Sequence, residues 1–439
     1  MSNILSPISG YTKINHPAFS RKTGIVNKLF ILPNEPDDPR VNICIAHSCQ
    51  LRRINPQGTP QQSSGAGYTK QQAFFSAIGE AIERYCSAFY EKDDLILAAY
   101  DELEEEGTLP DSFAFYHKRQ YEQDAFPYRP FTRKSRIRWT WTFNLTKGKA
   151  VLAPATCVYF PYTAKGDEEL VWDQVSTGLS CAATLEEAIL RGIYEVVERD
   201  AFSIMWLNKL SFPRVDFLAY PRIRAVFENY FEIPGCDYYL MEITNDIQIP
   251  TIFGVLVDRK GGTAVGAATR FDMVDAVEKT FLELAQSRIA YKRYMVQKHP
   301  KDYLPDFSDV NDFIDHSYVY TDISMRSHLE FAWSSQAVKE IEDDKLSRNA
   351  NVTDALERAI RILQQAGYDV LVANLTTPDV EKFGYHVVRV LIPGLTEITS
   401  DHRFPRAGGK RLYELPFRLG YASSTGSFER LNPSPHPFP

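Results

Sequence analysis

An α+β fold, internally pseudo-symmetric, with helices packed on antiparallel or mixed sheets, is what this sequence predicts. Three observations lead there. One unit, a small-residue extended segment feeding a helix that carries Glu at a fixed place, occurs three times: Ser76-Ala-Ile-Gly-Glu80-Ala-Ile-Glu83-Arg84, Glu187-Ala188…Glu195-Val-Val-Glu198-Arg199 and Lys279-Thr-Phe-Leu-Glu283-Leu-Ala-Gln286. Strand-like and helix-like stretches alternate without the strict βαβ rhythm of a parallel sheet. The two helices with Glu-x-x-Glu-Arg are apolar over most of their circumference, as largely buried helices are.

In chain order, residues 1–60 are rich in Pro, Asn and polar side chains. Their apolar runs, Ile25 to Leu32 and Val41 to Ala46, suit strands packed on the main body or on a partner. We assign them to an N-terminal segment and residues 61–439 to one main domain. The helix of the first unit reads from Gln71 to Tyr90. Residues 92–130, with Asp101-Glu-Leu-Glu-Glu-Glu106 and Pro110, read as solvated helix and loop. Arg133-Lys134-Ser-Arg136-Ile-Arg138, followed by Trp139 and Trp141, suits an exposed strand edge guarded by charge, with a groove for an acidic peptide as the alternative. A strand from Ala150 to Phe160 leads to the second unit. Beyond the third, Leu356, Ala359, Ile360 and Leu363 share a face of a helix over Val352 to Gly367. Tyr368 to Ala373 and Tyr385 to Ile392 then read as strands.

Shifted by 88 residues, the second unit lays Gly178 on Gly266, Ala188 on Ala276, Arg191 on Lys279, Glu195 on Glu283 and Glu198 on Gln286. Shifted by 115 the other way, it lays Ala188, Arg191, Glu195, Glu198 and Arg199 on Ala73, Ser76, Glu80, Glu83 and Arg84. Positions i, i+3 and i+4 share a helix face, so each helix offers one polar stripe. Taken alone, such a stripe is commonly a solvated ion-paired face. On a mostly apolar helix its carboxylates are costly unless a cation or firm hydrogen bonds meet them. Hard oxygen ligands suit Mg²⁺ bridged to phosphate, and Arg84, Arg199 and Lys279 can hold phosphate oxygens. No Gly-x-x-x-x-Gly-Lys-Ser/Thr loop and no Gly-x-Gly-x-x-Gly turn is present, so a nucleotide would be held by side chains on helices.

These blocks resemble the YcaO family. The resemblance lies in Ser64-Gly65-Ala66-Gly67…Gln72-Ala73-x-x-Ser76-Ala-x-x-Glu80-x-x-Glu83-Arg84, in Ser176-Thr177-Gly178-Leu179-Ser180…Thr184-x-x-Glu187-Ala188…Glu195-x-x-Glu198-Arg199, and in Gly266-Ala…Ala276-x-x-Lys279-x-x-x-Glu283-x-x-Gln286. It implies the YcaO fold and an ATP- and Mg²⁺-dependent cyclodehydratase. In such an enzyme a Cys, Ser or Thr side chain of a precursor peptide attacks the preceding carbonyl, whose oxygen is phosphorylated and expelled to leave a thiazoline or oxazoline. Carried over by position, Ser76, Glu80, Glu83, Arg84, Ser180, Glu187, Glu195, Glu198, Arg199, Lys279, Glu283 and Gln286 are the implied nucleotide site. Glu80, Glu83, Glu187, Glu195 and Glu198 are its implied metal ligands. Ala66, Thr177 and Ala183 depart from the Lys, Asn and Asn common at those places, and Lys279 stands for the usual Arg.

The chain ends Leu431-Asn-Pro433-Ser-Pro435-His-Pro437-Phe-Pro439. A terminal Pro-x-Pro-x-Pro resembles the azoline-forming members, which implies a catalytic role for Pro435, Pro437 and Pro439 beside Arg199. Proline fixes φ, so such a tail enters a cleft as a stiff rod; a frayed terminus or a ligand for a proline-binding module are the plainer readings. His436 reads as structural, with proton carriage as the alternative. Amidine- or thioamide-forming chemistry and a non-catalytic nucleotide- or peptide-binding scaffold remain alternatives.

Composition fits a soluble enzyme: 439 residues, 44% hydrophobic and 24% charged. A net charge of −7 argues against nucleic acid as a main partner. The six cysteines are scattered without zinc spacing and suit buried thiols in a reducing cytoplasm. No run is long enough for a signal peptide or membrane helix, so a cytoplasmic protein with no membrane partner is expected. The family resemblance implies a separate leader-peptide-binding partner related to ubiquitin-activating enzymes, because the segment before the first unit is short for an independent domain. A homo-oligomer is the expected assembly.

Overall fold

The computed structural model describes residues 16–53, 62–104, 106–113, 115–166, 168–297, 302–341, 344 and 350–438. Strands β1 (Val26–Ile31), β2 (Asn42–Ser48) and β3 (Gln62–Gly67) form an antiparallel sheet in that order. The N-terminal strands thus share a sheet with the first strand of the first unit. Helix α1 (Lys70–Ser87) follows, opened by a capping box in which Thr69 and Gln72 satisfy each other's backbone N–H. A second sheet holds β4 (Ile96–Ala98), β5 (Ile137–Asn144), β6 (Lys149–Pro154) and β7 (Leu179–Ala182), together with β13 (Leu371–Asn374) and β14 (His386–Leu391). Its order is β4-β5-β13-β14-β7, with β6 also on β5. The short α2 (Ala155–Val158) and the long α3 (Leu185–Leu207) belong to this part of the chain. The third sheet, β11-β10-β9-β8-β12, is built from β8 (Arg214–Val215), β9 (Cys236–Glu242), β10 (Thr251–Asp258), β11 (Thr263–Thr269) and β12 (Val338–Lys339); only β12 with β8 runs parallel. Helices α4 (Pro221–Val226), α5 (Met273–Gln297), α6 (Phe313–Val319), α7 (Val352–Gln365), α8 (Pro378–Lys382) and α9 (Lys410–Arg418) complete the layers. The fold is α+β with mixed sheets, as expected.

The three units are β3–α1, β7–α3 and β11–α5. Even their helix caps keep the frame: Thr69 and Thr184 accept the N–H three residues on, and Asp272 accepts that of Val274. Each helix packs on its own strand and also touches the next unit's. Helix α1 reaches β7, α3 reaches β11, and α5 reaches back to β3. The units therefore close into a ring. Glycines allow the close approach: a Cβ on Gly65 would stand 2.3 Å from Ala77 N, and one on Gly266 2.8 Å from Glu283 Cβ. Gly178 has φ +87° and would put a Cβ 2.2 Å from Val390 O, a conformation and a space that only glycine tolerates. The opposite helix faces make the core. Ile78, Ile82, Ile193 and Phe281 are fully buried, each contributing roughly 1.5–3 kcal/mol.

Three local expectations change. Among the described residues of 92–130 there is no α-helix: the stretch holds strand β4 and single 3₁₀ turns, Lys92–Asp94, Tyr100–Glu102 and Pro110–Ser112, and Asp101 and Glu102 pair with Arg133 and Arg136. The strand from Ala150 stops at Pro154, where one helical turn follows. β5 is flanked by β4, β13 and β6 and is no edge; Arg138 pairs with Glu168, so its charge is spent within the chain. As expected, α7 buries Leu356, Ala359 and Leu363, and Gly367 (φ +87°) ends it.

Candidate active site

The ring sends two positions of each helix toward its centre. The first is Glu80, Glu195 or Glu283, and it returns to its own strand. Ser64 N–H donates to Glu80 Oε2 at 3.0 Å and Ala267 N–H to Glu283 Oε2 at 3.3 Å, both from sixteen residues upstream; the Gly178 backbone supports Glu195. The second is Glu83, Glu198 or Gln286, and it faces the next unit. Cys181 N–H on β7 donates to Glu83 Oε1 at 2.8 Å, Gln286 Nε2 donates to Ser64 Oγ on β3, and Glu198 lies near Arg270 just after β11. Acid thereby faces acid at two of the three junctions: Glu83 with Glu195, and Glu198 with Glu283.

Electrostatics follows from this placement. Burial lifts the Glu83 carboxyl to about 8; Arg84 pulls it down, and Glu80 and Glu195 push it further up. Glu198, 6% exposed, is raised to about 8 by burial, with Glu283 and Glu195 adding to Arg199's opposing pull. Glu195 is raised for the same reason, against Arg199, Arg84 and Arg389. Carboxyls in this state gain from a cation. The basic groups want the reverse: Arg84 stands 3.7 Å from Glu80 and Arg199 3.6 Å from Glu198, and the buried Nη1 of each has no hydrogen-bond partner. A ligand carrying both a cation and an anion answers both needs, and the residues fit Mg²⁺ with a polyphosphate. Among the described residues, the one group of three acids with ligand atoms within 4.8 Å is Glu35, Asp37 and Asp38. Lys292 already bridges all three. The wider spacing of the ring's carboxylates suits an ion that keeps waters and shares phosphate oxygens.

The remaining residues singled out in the sequence sit around this centre. Ser180 is buried on β7, paired with Val388 of β14. Lys279 Nζ holds Glu283 Oε1 at 3.2 Å, one turn away. Ser76 is exposed in the corresponding place on α1. Glu187 is engaged along its own helix: its N–H is capped by Thr184, and its side chain pairs with exposed Arg191 at 2.5 Å. Ala66 is packed into apolar core, Thr177 is buried and Ala183 is exposed.

Sequence reasoning missed Arg270, Arg389 and Glu397. Arg389 is 2% exposed, gives one bond to Val175 O, leaves Nε and Nη1 without partners, and has its pKa lowered by burial against the pull of Glu397 and Glu195. A signal existed. Arg389 is the lone charge in the apolar run His386–Leu391, and a buried strand does not carry an arginine without a use.

The C-terminal segment runs inside the molecule rather than fraying. From Asn432 to Phe438 only Pro433 is exposed; Pro435 and Pro437 are buried, and Pro439 lies outside the described residues. Prolines at alternate positions bring no N–H to satisfy, which lowers the cost of burial. Several of its other polar groups are hydrogen-bonded: Asn432 N–H to Leu207 O, Trp206 Nε1–H to Ser434 O at 3.2 Å, and Tyr320 O–H to Pro435 O at 2.6 Å. His316 Nδ1 donates to the His436 carbonyl at 2.8 Å, and the two rings stack at 3.7 Å. His436 Nε2 donates to Thr399 O at 2.7 Å, and burial holds its pKa well below the usual value. These contacts fix the ring in place, as expected of a structural histidine.

Comparison with known proteins agrees with this geometry. An uncharacterised protein of Methanothermobacter thermautotrophicus is 28% identical over 372 residues, covering 82% of this chain and 88% of its own length. A heterocyclase solved in complex with substrate and cofactor superposes with a TM-score of 0.75 at 24% identity, covering 96% of this chain. The present chain spans only 56% of that one. The Escherichia coli microcin synthetase McbBCD complex contains a chain similar over 94% of this one and 96% of its own length, with TM-score 0.62 and 15% identity. At these identities the structures share the fold. The family profile described as YcaO cyclodehydratase, ATP- and Mg²⁺-binding, matches residues 64–396. No helix among the described residues is long and apolar enough to cross a membrane. With three glutamate-bearing units closed around one centre and a family profile covering all three, the chain belongs to the YcaO family of ATP- and Mg²⁺-binding cyclodehydratases.

Proposed function

We propose that this cyclodehydratase converts Cys, Ser or Thr residues of a ribosomal precursor peptide to thiazolines or oxazolines. The observation that carries the reading is the pair of acid-to-acid junctions, Glu83 with Glu195 and Glu198 with Glu283, beside two buried guanidinium donors without partners. In the reaction the side-chain nucleophile loses its proton as it adds to the preceding carbonyl carbon. The resulting oxygen takes the γ-phosphoryl group of ATP, releasing ADP. Loss of phosphate and of the amide proton then leaves the C=N bond. Arg84 and Arg199 would bind phosphate oxygens through their free Nη1 groups, with Lys279 at the rim. Glu80, Glu83, Glu195, Glu198 and Glu283 would hold Mg²⁺, which supplies charge neutralisation of the triphosphate. Glu187, committed to Arg191, would join only after that pair opens.

The burial of Pro435 and Pro437, in a segment whose Phe438 ring meets Arg199, supports a working role for these two prolines and Arg199, and we propose the same role for Pro439. We propose that a separate leader-binding protein related to ubiquitin-activating enzymes delivers the peptide, that the chain works in the cytoplasm, and that it forms a homo-oligomer. That a similar chain occurs in a multiprotein synthetase supports the partner. The test is mass analysis of precursor peptide after incubation with ATP, Mg²⁺ and the chain, with and without the partner. Loss of one water per ring is expected, weak alone and strong with the partner. Exchange of oxygen for sulfur would turn the reading to thioamide formation; ATP turnover unchanged in both Glu83→Gln and Glu198→Gln would turn it to a scaffold.

A further inference from the structure

Resting on the nucleotide reading of Arg199, a further role falls to the aromatic residue between the last prolines. The Phe438 ring lies 4.4 Å from the Arg199 guanidinium carbon, and it also meets two aromatic rings: Phe202 at 4.4 Å, edge to face, and Phe253 at 6.1 Å. Arg199, Phe202 and Trp206 lie along one face of α3 at i, i+3 and i+7. On that face Trp206 holds the tail through Ser434 O, Phe202 braces Phe438, and Arg199 caps its ring. Glu195 and Glu198 occupy the preceding turn. One helix thus carries the acidic site and the tail's seat in register.

Besides the ring, Arg199 feels the charges of Glu195 and Glu198 but bonds neither closely. Its nearest carboxylate is 3.6 Å away, beyond a good hydrogen bond, and its Nη1 is buried without a partner. A guanidinium placed over an aromatic face keeps its N–H groups for an in-plane anion, because the ring attracts the cation without taking a donor. We propose that Phe438 is a positioning residue for Arg199: docking of the C-terminal segment sets the guanidinium for the nucleotide phosphates, and nucleotide binding in turn stabilises the docked tail. Reciprocity is required, since a coupling between two binding events is the same in both directions.

The test uses the full-length chain and a non-hydrolysable ATP analogue with Mg²⁺, with affinity read by calorimetry for wild type, Phe438→Leu and Phe438→Tyr. Leucine keeps an apolar side chain in the seat and removes the π face; tyrosine keeps the face. We expect Phe438→Leu to bind the analogue about 2- to 30-fold more weakly, the range of a partly buried cation–π contact, and Phe438→Tyr to bind within about 2-fold of wild type. In wild type, the analogue should also slow removal of the C-terminal residues by carboxypeptidase. Phe438→Leu binding as tightly as wild type, or Phe438→Tyr binding as weakly as Phe438→Leu, would overturn the coupling. Failure of the wild type to bind the analogue would overturn the nucleotide reading itself, and this inference with it.

Discussion

Glu198→Gln should make the ligand-free protein more stable at alkaline pH while disabling its site. In the folded chain this carboxyl titrates at about 8 rather than 4.5 because it is buried and faces Glu283 and Glu195. The unfolded chain gives up the proton near the ordinary value; the folded chain keeps it. Between these two values the folded state binds more protons, so stability falls as pH rises through the window and stays lowered above it. The window spans roughly 3.5 pH units, and at about 1.36 kcal/mol per unit the ceiling is about 5 kcal/mol. Water and counterions drawn to the ionised group reduce this to about 2–3 kcal/mol. Glutamine fills the same space and cannot ionise. For a chain of this length the unfolding entropy is near 0.9 kcal/mol/K, so the gain is about 2–4 °C in Tm. The assay is thermal unfolding in chelator across about pH 5 to 9, with both proteins expected to melt alike at the acid end and the variant higher at the alkaline end. A variant that melts with or below wild type at about pH 9, or an offset independent of pH, would refute the claim that Glu198 is a buried acid only partly compensated by Arg199.

Other outcomes follow from the same geometry. Affinity for Mg²⁺ with an ATP analogue should rise as pH increases toward about 8, with proton release visible as buffer-dependent binding heat, because Glu83 and Glu198 must ionise to meet the cation. Glu83→Gln retains an oxygen for the Cys181 N–H, so it should fold normally by circular dichroism yet lose about 100-fold in peptide-dependent ATP turnover. Gly178→Ala forces a Cβ to within 2.2 Å of Val390 O at φ +87°; denaturant unfolding should show a loss of about 3 kcal/mol or more.

Much of the site was legible because helix periodicity is local. Glu80 with Glu83, and Glu195 with Glu198, share a face by spacing alone, and the offsets of 88 and 115 residues that aligned them also align the caps Thr69, Thr184 and Asp272. Where local rules misled, long-range partners were the cause. Arg133, Arg136 and Arg138 look like a basic patch in sequence, but Asp101, Glu102 and Glu168 neutralise them from other segments. Glu187 keeps the family's spacing and still spends its charge on Arg191 one turn along the same helix. Arg389 and Glu397 sit outside the repeated unit, and only burial beside Glu195 ties them to it.

What the sequence determined by itself was the unit: a glycine-bearing strand, a capped helix and two acidic positions three residues apart, all set by neighbours within a few turns. What only the tertiary structure decided was the closure of three such units, so that the second position of each meets the following strand. Glu83 finds the N–H of Cys181, and Gln286 finds Ser64, across 98 and 222 residues of chain. The descent of the tail onto Arg199 belongs with that closure. Contacts of that span depend on which surfaces remain to be buried after the local elements have formed, and no periodicity along the chain records it.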